Sequence, residues 1–141
     1  MRRKTVIRAF LITLASITLI LALATGLSAD RPDGSAPEKI MEFLKENGYN
    51  VASPSVKEIT IPAEFNDVYK NYNKLQKEQG FDLAPYKGET ALCYSFPVIG
   101  YINEAGQAED NIRATILVCD GKIIGGDISS TRLDGFMKGI R

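Results

Sequence analysis

Between Arg8 and Asp30 the chain carries no charge: Ala9–Ala29, AFLITLASITLILALATGLSA, is a run of 21 uncharged, mostly apolar residues. A helix that is apolar all round must be covered on every side, which a small globular fold cannot do. A bilayer core calls for ~20 helical residues, so the run suits a membrane-spanning helix. Arg2, Arg3, Lys4 and Arg8 precede it, and Asp30, Arg31 and Asp33 follow. By the positive-inside rule the N-terminus is then cytoplasmic and the rest of the chain is outside. A cleavable signal peptide competes with this reading. Such a peptide has an apolar stretch of ~7–15 residues and a small-residue cleavage site, and Ala22-Leu23-Ala24 and Ala24-Thr25-Gly26 fit the site loosely. No Cys lies near residue 25, which closes the lipoprotein route. Both readings export residues 30–141, to the outer face of the cell membrane or into the medium.

Export changes the charge balance. The whole chain has 17 basic and 17 acidic residues, and four of the basic ones lie before the apolar run. The exported part is therefore net −4. Phosphate backbones repel such a domain, so no nucleic-acid partner is expected. Flat binding to an anionic membrane surface is disfavoured for the same reason. The chain has no His, which removes Ser-His-Asp and Cys-His nucleophile systems and His-based metal sites. With 45% hydrophobic and 24% charged residues the composition is that of an ordinary globular protein.

After a polar linker at 30–35, DRPDGS, residues 36–141 read as one α+β domain. Ser35-Ala36-Pro37-Glu38 fits a capping box with Pro in the first turn. Ile40, Met41, Phe43 and Leu44 follow on helical spacing, and Gly48 ends a helix over 36–47, with Tyr49 folding back onto its stripe. Val56–Ile61 reads as a short strand. Pro62 opens a second helix whose stripe is Phe65, Val68, Tyr69, Tyr72 and Leu75, with Asn66, Lys70, Asn73, Lys74 and Lys77 on the opposite face and Gly80 at its end. Glu89–Ile99 and Ile112–Cys119 read as strands joined by a polar loop around Gly106. Asp120-Gly121 is a two-residue hairpin signal, and Lys122–Ser129 returns from it. Leu133, Phe136, Met137 and Ile140 suggest a short closing helix. The simplest arrangement is a three- to four-stranded antiparallel sheet with the helices packed on one face. The even faces, Leu92, Tyr94, Phe96, Val98 and Ile112, Ala114, Ile116, Val118, would meet the stripe of the second helix.

The chemistry-bearing residues are few. Cys93 and Cys119 are the only cysteines, and an isolated pair outside the cell suggests a disulfide. Pairing the even faces puts both on the other face. If paired residue numbers sum to 212 they sit opposite, ~4.5–5.5 Å apart at Cβ; if to 210 they are diagonal at ~7–8 Å, too far for a bond. Two half-buried thiols are the alternative. Gly125-Gly126 reads as a bulge or a close helix contact, with an anion-holding backbone the lesser reading. Asp127 would pair with Arg113 or Arg132 or serve a surface site. Glu109-Asp110 reads as solvated loop. Of the tyrosines, Tyr69, Tyr72 and Tyr94 fall on core faces, whereas Tyr86 and Tyr101 remain candidates for a binding surface. No spacing marks a catalytic, cofactor or metal site.

The runs IPAEFNDVYKNYNKLQKEQGFDLAPYKG, residues 61–88, and LVCDGKIIGGDISSTRLDGFMKG, residues 117–139, resemble the two signatures of the domain-of-unknown-function family 4830, exported proteins of Gram-positive anaerobes. The likeness covers most of residues 36–141. It implies an exported domain and carries no activity, ligand or catalytic residue. Residues and resemblance together lead us to expect a membrane-anchored extracytoplasmic binding module without a cofactor. Its anchor is residues 1–29, inserted through 9–29, and its partner is an envelope protein or wall component. A secreted enzyme using carboxylates or Ser/Lys, and a regulatory or sensory subunit of a membrane complex, are the alternatives.

Overall fold

The computed structural model describes residues 31–141, and a compact unit begins at Pro32. The expected anchor, residues 9–29, lies outside the described residues; among those described, no helix is long and apolar enough to cross a membrane. Helix α1 spans Pro37–Glu46 and strands β1 and β2 span Asn50–Val51 and Ser55–Thr60. Helix α2 spans Asp67–Glu78 and is followed by a 3-10 turn at Ala84–Tyr86. Strands β3, β4, β5 and β6 span Thr90–Ile99, Ile112–Cys119, Lys122–Ser130 and Met137–Lys138. The fold is α+β, with one antiparallel sheet ordered β1-β3-β4-β5-β6 and β2 also paired with β3.

The sheet is larger than the three or four strands expected, because two short edge strands carry no signal of their own. The two residues of β1 pair with the far end of β3, Asn50 opposite Ile99. β6 replaces the expected closing helix, with Ile128 opposite Lys138 and Ser129 opposite Met137. Gly135 and Gly139 weaken a helix there, and the open edge of β5 offers the backbone bonds a strand needs. Leu133, placed on the helical stripe by its spacing, is fully exposed.

The helices pack on opposite faces rather than one. The even face of β3 and β4 meets α1: Ile40, Phe43 and Leu44 join Tyr94, Phe96, Ile112, Ala114, Ile116 and Val118 in one buried cluster. Each fully buried Leu or Ile side chain in it contributes roughly 1.5–3 kcal/mol relative to exposure. The odd face meets α2 and the 3-10 turn, where Tyr69, Tyr72 and Tyr86 pack against Ile61, Leu83, Cys93, Leu117 and Cys119. Two-sided burial explains why β4 is buried at six of its eight positions.

Helix ends also depart from expectation. No side chain caps α1: its N-cap is Ala36, and Ser35 instead donates its backbone N–H to Asp33 Oδ1 at 2.9 Å. Residues 32–34, read as linker, are tied to the β4–β5 hairpin, Gly34 N–H donating to Gly121 O at 3.0 Å and Asp33 bridging Lys122. α2 starts later than Pro62 because Asn66 caps it, Oδ1 accepting from the Tyr69 N–H at 2.9 Å. Its buried side is largely polar. Val68 is 75% exposed, whereas Asn73, Gln76 and Gln79 are buried. The hairpin turn follows its signal: Asp120 and Gly121 both take positive φ, 49° and 69°, as a type I′ turn requires.

Candidate functional site

Three elements converge at one end of the domain. Just past α1, Gly48 takes a φ of 92° and turns the chain so that the Tyr49 N–H reaches Leu44 O at 2.9 Å. Beyond β3, Gly100 turns the chain into a loop that Asn103 organises. Its Oδ1 accepts from the backbone N–H of Ala105 and of Gln107 at 3.0 and 2.9 Å, and its Nδ2 donates to Glu109 Oε1 at 2.7 Å. Ile102 bridges Ala108 and the Glu109 N–H donates to Tyr101 O at 3.0 Å. The third element is β6 with Phe136 just before it.

Tyr101 and Phe136 stack, with ring centroids 5.8 Å apart and planes inclined by 27°. The Lys138 ammonium lies 5.2 Å from the Tyr101 centroid and 5.7 Å from that of Phe136. Hydrogen bonding to the Tyr101 hydroxyl, helped by Tyr49, holds the Lys138 pKa above the usual lysine value. Among the described residues no carboxylate pairs with this ammonium.

Two clefts meet at Tyr101 and Lys138. One, of about 450 Å³, has Asn103, Glu104, Glu109 and Phe136 in its wall. The other, of about 370 Å³, runs past Asn47, Tyr49 and Asn50 to Gly100 and Ile102. A wider depression of about 680 Å³ follows α1, but its charged residues Glu38, Glu42, Lys45 and Glu46 are all exposed, and the Glu42 contact with Lys39, at 3.7 Å, is a surface pair.

Of the surface-binding candidates Tyr86, Tyr101 and Asp127, only Tyr101 lines this groove. Tyr86 is half-buried in the odd-face cluster, where it packs rather than presents a surface. Asp127 is buried on the odd face beneath α2. Its partner is neither Arg113 nor Arg132: the Tyr72 hydroxyl donates to Oδ2 at 2.8 Å. Desolvation raises its pKa, against the pull of the Tyr72 and Ser129 hydroxyls, and Oδ1 is buried without a hydrogen bond.

The register sets the cysteines apart. Leu92 opposes Val118 and Cys93 opposes Leu117, so Cys93 and Cys119 are diagonal, the arrangement whose residue numbers sum to 210. Both are buried as thiols rather than joined. Cys119 Sγ reaches Thr90 O at 3.6 Å, and burial pushes the Cys93 thiol pKa up. The double glycine meets the close helix contact, and the bulge falls one residue before it. The β4–β5 register shifts between Leu117 and Val118, leaving Ile124 as the extra residue of a bulge. Just beyond it, the Gln76 side chain of α2 bonds the backbone of Gly126.

Phe136, Lys138, Asn103 and Glu109 escape a reading by sequence. The helical spacing assigns Phe136 to a core stripe, and Glu109 looks like solvated loop. Only an alternating reading of 136–140 would have put Phe136 and Lys138 on one face. Among the described residues no three Cys, Asp or Glu side chains gather as metal ligands.

A family model described as "Domain of unknown function (DUF4830)" matches residues 43–128, more than half of the chain. That span includes Tyr49, Tyr101, Asn103, Glu109 and Asp127 and stops before Phe136 and Lys138. No curated protein and no solved structure matches.

Proposed function

Since the chain belongs to the DUF4830 family, which brings no activity with it, we propose a role from its own groove: a membrane-anchored, extracytoplasmic binding module whose receptive face is the junction of the two clefts at Lys138. The observation that carries this reading is an ammonium fixed over two aromatic rings, with no carboxylate partner among the described residues, in the wall of both clefts. Pockets of this kind, apolar plates with a few placed polar groups, take ligands. The Asn103 bonds hold the loop in shape before anything binds, which lowers the ordering cost of association. A lysine kept protonated is neither a nucleophile nor a general base, so the groove suits recognition better than turnover. Anchoring and export rest on the apolar run at 9–29 and the basic residues before it.

The test is site-specific photocrosslinking in intact cells. A photoreactive residue in place of Ala105, which is exposed, lies in the groove wall and leaves the Asn103 bonds intact; one in place of Val68, 75% exposed on α2, serves as the contrast. The proposal expects a discrete adduct with an envelope protein or wall fragment from position 105 and none from 68. Adducts from 68 alone, or from neither, would contradict it.

A further inference from the structure

The two clefts differ in charge, and the difference selects a ligand. Lys138 carries the only formal charge in the wall of the 370 Å³ cleft, whose other polar side chains are Asn47, Tyr49, Asn50 and Tyr101, with Asn47 Nδ2 already donating to Phe43 O at 2.8 Å. The 450 Å³ cleft, on the far side of Lys138, adds Glu104 and Glu109. Glu109 spends Oε1 on Asn103, which aims the carboxylate and leaves Oε2 to a ligand. Glu104 is exposed. The groove therefore presents one cation at its centre, neutral donors and acceptors on one side and two anions on the other. A phosphate or sulfate would gain from Lys138 and lose to both glutamates. A simple cation would gain from the glutamates and lose to Lys138.

Resting on the reading of this groove as the binding face, we propose that its ligand is a zwitterionic amino-carboxylate of peptide type. Its carboxylate sits on the Lys138 ammonium, and its ammonium group reaches Glu104 and Glu109. The intervening peptide groups lie along the 450 Å³ cleft, past Asn103 and Phe136. Charge-assisted hydrogen bonds at both ends would fix the direction of the ligand as well as its class.

Three small probes test this on the full chain in lipid nanodiscs, read by ligand-detected NMR titration: tri-alanine, its C-terminal amide and its N-acetyl form. Tri-alanine is expected to bind. The amide should bind at least fivefold more weakly through loss of its carboxylate, and the N-acetyl form about threefold more weakly. In K138Q the acid and the amide should bind alike, and in E104Q/E109Q the free and acetylated amines should bind alike. Equal binding of all three probes, no binding of tri-alanine, or a K138Q variant that still favours the acid would overturn the assignment. The crosslinking from position 105 separates the two claims. Adducts there with no response to tri-alanine remove the ligand class and leave the binding face standing; no adducts and no response remove both.

Discussion

The Tyr72 hydroxyl donates to Asp127 Oδ2 across 2.8 Å, pinning α2 to β5 through a carboxylate that is only 2% exposed. The other carboxylate oxygen has no hydrogen bond. Burial raises the Asp127 pKa above the usual carboxylate value of 3.8. Its contribution to stability is then fully present below pH 3.8 and is lost as pH rises through the raised folded value. Asp127→Asn keeps an acceptor for Tyr72 and removes the buried charge, so it should abolish this loss and make the protein more stable near pH 7. Tyr72→Phe deprives the carboxylate of its donor and should cost about 1–3 kcal/mol at neutral pH. Urea unfolding from pH 3 to 8 checks both; an Asp127→Asn variant less stable than the parent at pH 7 would refute the account.

Gln79 acts as an extra peptide group between two strands that part. β5 and β6 pair at Ile128 and Lys138, and the next pair in that ladder would be Gly126 and Ile140. There the Gln79 side-chain amide is interposed. Nε2 donates to Gly126 O at 3.0 Å and Oε1 accepts from the Ile140 N–H at 2.6 Å. Gln79→Ala orphans two buried backbone groups and should cost about 2–4 kcal/mol. Gln79→Glu, which turns an acceptor toward Gly126 O, should be no milder. Faster hydrogen exchange at Ile140 in both variants would confirm the link, and unchanged protection there would count against it.

The two glycines of β5 are not equivalent. A Cβ at Gly126 would stand 2.4 Å from the backbone oxygen of Thr115, which cannot yield. At Gly125 the nearest atom is Gln76 Oε1 at 2.8 Å, a side-chain end that can shift only by loosening its bond to the Gly126 N–H. Gly126→Ala should therefore destabilise by about 3 kcal/mol and Gly125→Ala by about 1–2 kcal/mol. Thermal unfolding of the two variants, with the order reversed, would show the register at this bulge to be different.

Diagonal cysteines do not bridge without a shift of the strands. Non-reducing intact mass of the native protein should show no loss of two hydrogens. Both thiols should alkylate only after unfolding, because both are buried. A Cys93–Cys119 bridge would mean the β3–β4 register is two residues out.

Much of this architecture is legible in the residues, and the exceptions share a cause. β3, β4 and β5 announce themselves by alternation, and the Asp120-Gly121 turn by composition. The even apolar face is visible too, but it meets α1 rather than α2. The odd face also carries Ala91, Cys93, Leu117 and Cys119, which suffices to hold a helix of its own. A helix that buries Asn73, Gln76 and Gln79 looks solvent-facing by composition, because those side chains bond to backbone that no periodicity reveals. The groove was hidden in the same way. Tyr101 stood out by type, whereas Lys138 gains its meaning from Tyr49 and Phe136, far away in the chain.

Lysine footprinting in intact cells with a membrane-impermeant amine reagent tests the central claim most directly. Lys70 and Lys74 on α2 are exposed and should label in cells as they do in the purified protein, which places the domain outside. Lys138 should label several-fold less in cells than in the purified protein, because its groove is occupied there. Lys138 labelled to the same extent in both, or no lysine of the domain labelled in intact cells, would contradict the account.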